Sequence, residues 1–262
     1  VDFVEALAAP AGSTIPVHVK VDTGMHRVGA APDQVPWVVD AVLASGLPCL
    51  LVDDASDKAC AAVLDRLARR DNVFLIRLAS NQGKGAAVMT GFREASRLGF
   101  SHALQVDADG QHDLQDVATF IEQSRLHPEA VICGYPKYDA SVPKGRLYAR
   151  YLTHVMVWIN TLSLQIRDSM CGFRLYPLPP TLPLIESAKI GKRMDFDSYI
   201  LVRLAWRNEP MQWLQTRVHY PLDGVSHFRL FRDNVLITSM HTRLFFGMLW
   251  RAPVILWRRW RA

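Results

Sequence analysis

The chain has 262 residues, half of them hydrophobic and 21% charged. That balance suits one large α/β domain, or a domain with an appendage, and excludes a disordered chain or a polytopic membrane protein. The net charge of +5 is concentrated as arginine in the last quarter, which points to an anionic surface there, a membrane or a nucleic acid.

In chain order, residues 3–9 suggest a short helix, 10–13 a loop, and 15–21 alternate as a strand with Asp22 and Thr23 at its end. Residues 32–45 are expected to be helical, with Val35, Val38, Val39, Val42 and Leu43 as the apolar face. No signal peptide is expected before Val1, and the start on Val rather than Met suggests a truncated beginning. The segment V-H-V-K-V-D-T-G-M-H-R-V-G (residues 17–29) resembles a V-x-x-K-x-D-T-G-M-x-R-x-G segment of alanine racemases. In that family the residues matching Lys20 and Arg27 sit at the active site near pyridoxal phosphate. The family's cofactor lysine motif and catalytic tyrosine have no counterpart downstream. The resemblance is confined to about the first thirty residues and is read as a fused segment that supplies a strand and a turn.

From residue 47 the pattern is cleaner. Residues 49–52 form a buried strand ending on Asp53 and Asp54, and a helix follows over 58–69. The next strand, 73–78, runs into N-Q-G-K-G (81–85) and a helix over 86–98. A strand at 104–106 ends on Asp107-Ala108-Asp109-Gly110, followed by a helix over 114–126 and a strand over 130–134. Strands alternating with amphipathic helices predict a three-layer, mainly parallel sheet whose ligands gather at the strands' carboxyl ends. Asp53, Asn81, Asp107 and Gly134 are expected at that edge. Cys49, Cys60, Cys133 and Cys171 lie far apart, with no C-x-x-C pair and no histidine at metal spacing. Reduced, mostly buried thiols of a cytosolic protein are therefore expected rather than disulfides or a zinc site.

Asp107 and Asp109 offer two hard oxygen ligands on a rigid edge, as a divalent cation carrying a diphosphate requires; the alternative is a polar turn with solvated acids. Asp53 and Asp54 can accept hydrogen bonds from a nucleobase or ribose, or cap the next helix. Asn81 to Gly85 put N–H groups and the Lys84 amine at a helix start, which suits phosphate, although the spacing is not that of a Walker loop. No G-x-G-x-x-G follows a strand, so a Rossmann site is disfavoured. Downstream, R-D-S-M-C-G-F-R (167–174) is a dense polar patch with a glycine, and R-M-D-F-D (193–197) opens a helix running to Trp206. Asp195 and Asp197 there read either as a general base toward an acceptor hydroxyl or as charges complementing the helix dipole.

Together V-D-D-x-S, N-x-G-K-G, D-A-D-G-Q-H, D-S-M-C-G-F-R and M-D-F-D resemble, in order and spacing, the family 2 glycosyltransferases, nearest their dolichyl-phosphate mannose synthase-like branch, over about residues 47–228. The resemblance implies a GT-A fold and a nucleotide-diphosphate sugar donor. It implies Asp53 at the base and Lys84 near the donor, and Asp54, Asn81, Asp107 and Arg174 are the further residues expected to bind the donor. Mg²⁺ or Mn²⁺ would sit on Asp107 and Asp109, Asp197 or Asp195 would face the acceptor, and transfer would invert the anomeric carbon. The sequence departs from the family twice. The usual first strand ending in P-x-Y-N is missing, with the racemase-like segment in its place, and Tyr199 stands where an acid usually follows the second Asp.

Residues 229–262 interleave Phe231, Phe245, Phe246, Trp250, Trp257 and Trp260 with Arg232, Arg243, Arg251, Arg258, Arg259 and Arg261. Their apolar runs are divided by Arg251 and Pro253 and fall short of the ~18 residues of a spanning helix. An interfacial segment on an anionic membrane is preferred over nucleic-acid binding, since no base-stacking module accompanies the charge; a helix docked on the main domain is the third option. The expected organisation is an atypical segment 1–46, a catalytic domain 47–228 and a membrane-interface segment 229–262. The expected function is metal-dependent sugar transfer to a lipid-linked or other hydrophobic acceptor, by a protein peripheral on the cytoplasmic face of the plasma membrane. The alternative is a catalytically impaired domain acting as a membrane-bound interaction module.

Overall fold

A computed structural model describes residues 17–21, 35–44, 46–107, 112–137, 144–217 and 230–261. The early helix expected over 3–9, the racemase-like turn with Asp22, Thr23 and Arg27, and Asp109 lie outside these residues. The elements are β1 (Val17–Val21), α1 (Val35–Ala44), β2 (Cys49–Asp53), α2 (Lys58–Leu67), β3 (Val73–Arg77), α3 (Lys84–Arg97), β4 (His102–Asp107) and α4 (Asp116–Leu126). They continue with β5 (Val131–Lys137), α5 (Lys144–Thr161), β6 (Arg174–Pro177), α6 (Leu178–Ser187), α7 (Phe196–Trp206), β7 (Met211–Arg217) and α8 (Leu230–Arg261).

The strands form one sheet in the order β3-β2-β1-β4-β6-β5-β7. It is parallel except for β6, which runs antiparallel to both β4 and β5. Period-two alternation along each strand sorts the core into two layers. Cys49 and Leu51 of β2, Leu104 and Val106 of β4, and Ile132 of β5 pack with α1, α2 and α4. Leu50, Ala103, Val131, Cys133 and Tyr176 face the opposite way and pack with α3, α5, α6, α7 and α8. The chain thus has the expected three-layer GT-A arrangement.

β1 lies inside the sheet. Val19 pairs with Leu51 of β2 on one side and with Val106 of β4 on the other. Parallel pairing in register brings Val21 level with Asp53, and Lys20 level with Asp107. The strand order reverses at β1, so a crevice opens between the ends of β1 and β4, where open α/β sheets take their ligands.

Two readings change, and one helix was not anticipated. Gly134 is internal to β5, which runs on to Lys137, and does not mark a strand end. The basic, aromatic tail is a single helix of 32 residues that passes through both Arg251 and Pro253. It docks by Met240, Leu244 and Met248, all buried, and runs alongside α7. Arg243 lies over the ring of Tyr199 near the start of α7, while Arg251 lies over Trp206 at its end. α6 begins on Leu178 and carries Pro179 and Pro180 in its first turn, where a missing N–H is harmless, and also Pro183. Those prolines hid it in the sequence.

Because β1 is paired on both edges, proline at Val19 removes a ladder donor from an interior strand. Val19→Pro is expected to abolish the cooperative thermal transition followed by circular dichroism. The same substitution at exposed Phe74 of edge strand β3 is expected to leave a melt.

Candidate active site

Asp53 ends β2 fully buried, and its carboxylate is shared among neighbours. One oxygen accepts from the Ser56 N–H (2.8 Å) and the Ser56 hydroxyl, the other from Nε of Arg77 (2.6 Å), which ends β3. Burial works against the charge, but the Ser56 hydroxyl, Arg77 and the Ser56 N–H outweigh it and hold the carboxyl below the usual 3.8. Arg77 is 41% exposed on its side chain while that of Asp53 is fully buried, so Arg77 is the outward member of the pair.

Asp54 acts as a clamp across 29 residues. Its two oxygens accept the N–H groups of Gln82 and Gly83, each at 2.7 Å, while its backbone carbonyl accepts Nδ2 of Asn81 (3.1 Å). The N–H groups read as a phosphate cradle are therefore partly committed within the protein, because Asp54 already supplies the negative charge at the start of α3. Asn81 likewise ties this turn to β2.

Lys84 is the first residue of α3 and is buried, with Nζ 2.7 Å from Oδ2 of Asp197. The other Asp197 oxygen accepts Nε2 of Gln105 (3.2 Å), and its backbone carbonyl accepts a guanidinium N–H of Arg174 (2.7 Å). Arg174 is fully buried in β6 and also donates to the Tyr176 hydroxyl (3.2 Å). It lies beneath the edge as a support for α7. Gln105 and Arg174 are cross-strand partners on β4 and β6. Gln105 was missed in the sequence, although a glutamine inside an otherwise apolar strand is itself a signal that a buried polar partner awaits it.

The turn at 83–85 is pressed against the turn at 191–196. The Ala86 N–H donates to the Lys192 carbonyl at 3.1 Å. Gly83 has φ of +99°, and a Cβ there would sit 2.6 Å from that same carbonyl oxygen. A Cβ on Gly85 would lie 2.6 Å from the Gly191 carbonyl and from Cβ of Phe196. Both glycines of N-x-G-K-G thus serve close backbone approach. Asp195 accepts the Arg193 N–H (3.3 Å) and stands 3.6 Å from Arg243 of α8.

Asp168, in the polar patch before β6, forms a second buried cluster. One oxygen accepts the N–H groups of Met170 and Cys171 (both 2.8 Å), and the other meets Arg150 of α5 at 2.6 Å. His154 stands 3.6 Å away, and burial holds its imidazole below the usual 6.5 despite Asp168. The four cysteines are buried and unbridged, and burial pushes the thiols of Cys133 and Cys171 up to about 12, so they serve as core.

Asp107 closes β4 at the β1/β4 crevice, on the far side of β1 from Asp53. Among the described residues, no group of three or more His, Cys, Asp or Glu side chains is assembled for a metal ion. The D-A-D sequence at 107–109 nevertheless offers carboxylate oxygens alone. That donor set fits Mg²⁺ or Mn²⁺, hard cations that bind through one or two carboxylates and take their other oxygens from phosphates and water.

The Glycosyl transferase family 2 model matches residues 32–179, more than half of the chain, and the Alanine racemase, N-terminal domain model matches residues 1–52. The chain is 29% identical to a polyprenol monophosphomannose synthase of Mycolicibacterium smegmatis over 48% of this chain and 49% of that protein. It is 28% identical to an undecaprenyl-phosphate mannosyltransferase of Micrococcus luteus, over 65% of this chain and 72% of that one. The chain spans about half the length of several curated relatives that it matches. Among solved structures, a glucosyl-3-phosphoglycerate synthase from Mycobacterium tuberculosis, in complex with Mn²⁺ and UDP-glucose, superposes with a TM-score of 0.60 at 12% identity. That superposition covers 95% of this chain and 82% of the other, and it extends the likeness in fold to α8. With the ordered motifs lying at one sheet edge and the family model covering most of the sheet, the chain belongs to glycosyl transferase family 2.

Proposed function

We propose that the protein transfers a sugar from a nucleotide-diphosphate donor to a lipid-linked phosphate, with inversion and with Mg²⁺ or Mn²⁺ bound at Asp107 and Asp109. The observation that carries this reading is the placement of Asp53 and Asp107 on either side of β1, at the strand ends where the sheet order reverses. Asp53, steadied by Arg77 and Ser56, meets the base end of the donor, and the Asp54–Asn81 clamp fixes the turn that carries Lys84. When bound, the cation neutralises the developing charge of the departing nucleotide diphosphate.

The acceptor class follows from the carboxylates. Asp197 has both oxygens engaged by Lys84 and Gln105, and Asp195 is buried against its own turn and Arg243. A phosphate monoester is already ionised at neutral pH and attacks without giving up a proton, so the acceptor oxygen needs no free protein base. The relatives named for polyprenol and undecaprenyl phosphate chemistry support the same class. The alternative of an impaired interaction module has less support, because β1 fills the sheet position that the missing first-strand motif would occupy.

A lipid acceptor calls for a membrane surface, and α8 supports one. Phe246, Leu249, Trp250, Val254, Trp257 and Trp260 are exposed along its outer face. The only acid in α8, Asp233, is buried, so that face is apolar and cationic. A second copy would set arginine against arginine, whereas an anionic bilayer complements both features. Some of the basic charge has another use: Arg258 donates to the Trp206 carbonyl, and Arg259 to the Leu162 and Thr161 carbonyls, which caps α7 and α5. Among the described residues, no helix is long and apolar enough to cross a membrane. A peripheral location on a cytoplasmic, anionic face is the reading these features support.

Two measurements test the proposal. Purified protein with Mn²⁺ and a panel of UDP- and GDP-sugars should transfer to, or hydrolyse with, at least one donor. Asp107→Ala combined with Asp109→Ala should then lower the rate by ~10³-fold or more, the scale set by loss of a charge-stabilising group. In flotation assays the protein should bind vesicles containing phosphatidylglycerol in preference to pure phosphatidylcholine. Trp250→Ser with Trp257→Ser should weaken that binding about tenfold without shifting the melting temperature.

A further inference from the structure

We infer that Asp197 is a positioning residue: it holds the Lys84 ammonium at the carboxyl edge for the anionic part of a nucleotide and takes no proton from the acceptor. This rests on the nucleotide-sugar reading above. A general base must come within hydrogen-bond reach of the proton it removes. The two oxygens of Asp197 instead meet Lys84 at 2.7 Å and Gln105 at 3.2 Å, inside a contact where both members of the ion pair are about 5% exposed. Its main chain is held as well, by Arg174.

The surroundings are built to keep this contact in place. Lys84 sits between two glycines that permit the 81–85 turn to touch the 191–196 turn backbone to backbone, and the Ala86 N–H to Lys192 carbonyl bond joins them a second time. The donor-side turn and the start of α7 therefore form one rigid unit, with the Lys84–Asp197 pair across the seam. Burying an ammonium is costly unless a counter-ion meets it with good geometry, and removing that counter-ion strands the charge. Asp197 thus acts on the ligand through Lys84.

A double-mutant cycle read by nucleotide affinity separates this role from its competitors. UDP and GDP, each with excess Mg²⁺, are titrated calorimetrically into the wild type, Lys84→Met, Asp197→Asn and the double variant, with circular dichroism melts as the folding control. Each single variant is expected to weaken binding about tenfold, the size of one charge-assisted contact. In the double variant affinity should equal that of Lys84→Met within about twofold, because Asp197 acts on the ligand only through Lys84. If Asp197→Asn fails to fold with its stranded lysine, Asp197→Glu takes its place in the cycle, since it keeps the charge and shifts it by one methylene. Unchanged affinity in the Asp197 variant alongside lost turnover would mark a base and overturn the inference. Losses that multiply in the double variant would mark a structural role independent of Lys84 and also overturn it. A wild type that binds neither nucleotide overturns the nucleotide-sugar reading and the inference with it, an outcome distinct from the other two.

Discussion

The arrangement depends on β1 being paired along both edges. An interior strand leaves no backbone donor or acceptor to water, so its register is locked from two sides at once. That lock decides which side chains become neighbours at the carboxyl edge. With Val21 level with Asp53, and Lys20 level with Asp107, the two acids stand on opposite sides of one strand. A one-residue slip of β1 would put its end out of step with both acids. The unusual origin of β1 therefore matters less than its pairing. A segment that resembles an unrelated family serves as the central strand because sheet pairing requires an extended backbone of the right length and little else.

Beneath that edge lie two clusters of buried charge, and each joins several elements of the fold. Lys84, Asp197, Gln105 and Arg174 connect α3, α7, β4 and β6. Asp168 gathers Arg150 of α5 and the N–H groups of the segment that leads into β6. Ion pairs of this kind contribute little net stability against an apolar replacement, yet breaking one partner is expensive. Their value here is positional. The contacts that meet at Asp197 tie the turn at 81–85 and the start of α7 to β4 and β6. Charge that is set in place in advance costs no rearrangement when a ligand arrives.

What the sequence disclosed follows from what is local. The strands ending at Asp53, Arg77 and Asp107 show as short apolar runs, and the motifs on them sit where a parallel sheet gathers ligands. The direction of β6 was not legible, because antiparallel and parallel central strands share the same apolar composition and differ only in their connections. α6 was hidden by prolines that its first turn tolerates and that read in isolation as loop. Asp54 and Asn81 carried residue types equally suited to a ligand or to a turn, and only the fold shows them binding each other's segments. The pairing of Lys84 with Asp197 spans more than a hundred positions, and no spacing rule reaches that far. The arginines of α8 were legible as charge but not as helix caps, since the carbonyls that Arg258 and Arg259 reach belong to α7 and the end of α5.

α8 ties these parts to the surface. Its buried side follows α7 from Arg243, beside Asp195, to Arg251 and Arg258 around Trp206, so the helix runs from the crevice end of the fold to the opposite end. Pro253 removes the N–H that would have bonded the Leu249 carbonyl, the usual cause of a break or bend. The helix persists past it to Arg261, and beyond the proline its side-chain bonds lead to carbonyls of α7 and α5. Tertiary anchoring thus offsets the lost backbone bond. α8 is braced against α7, and the first turn of α7 carries Asp197, the counter-ion of Lys84. The exposed aromatic face of α8 and the ion pair at the start of α7 are thus linked through two packed helices.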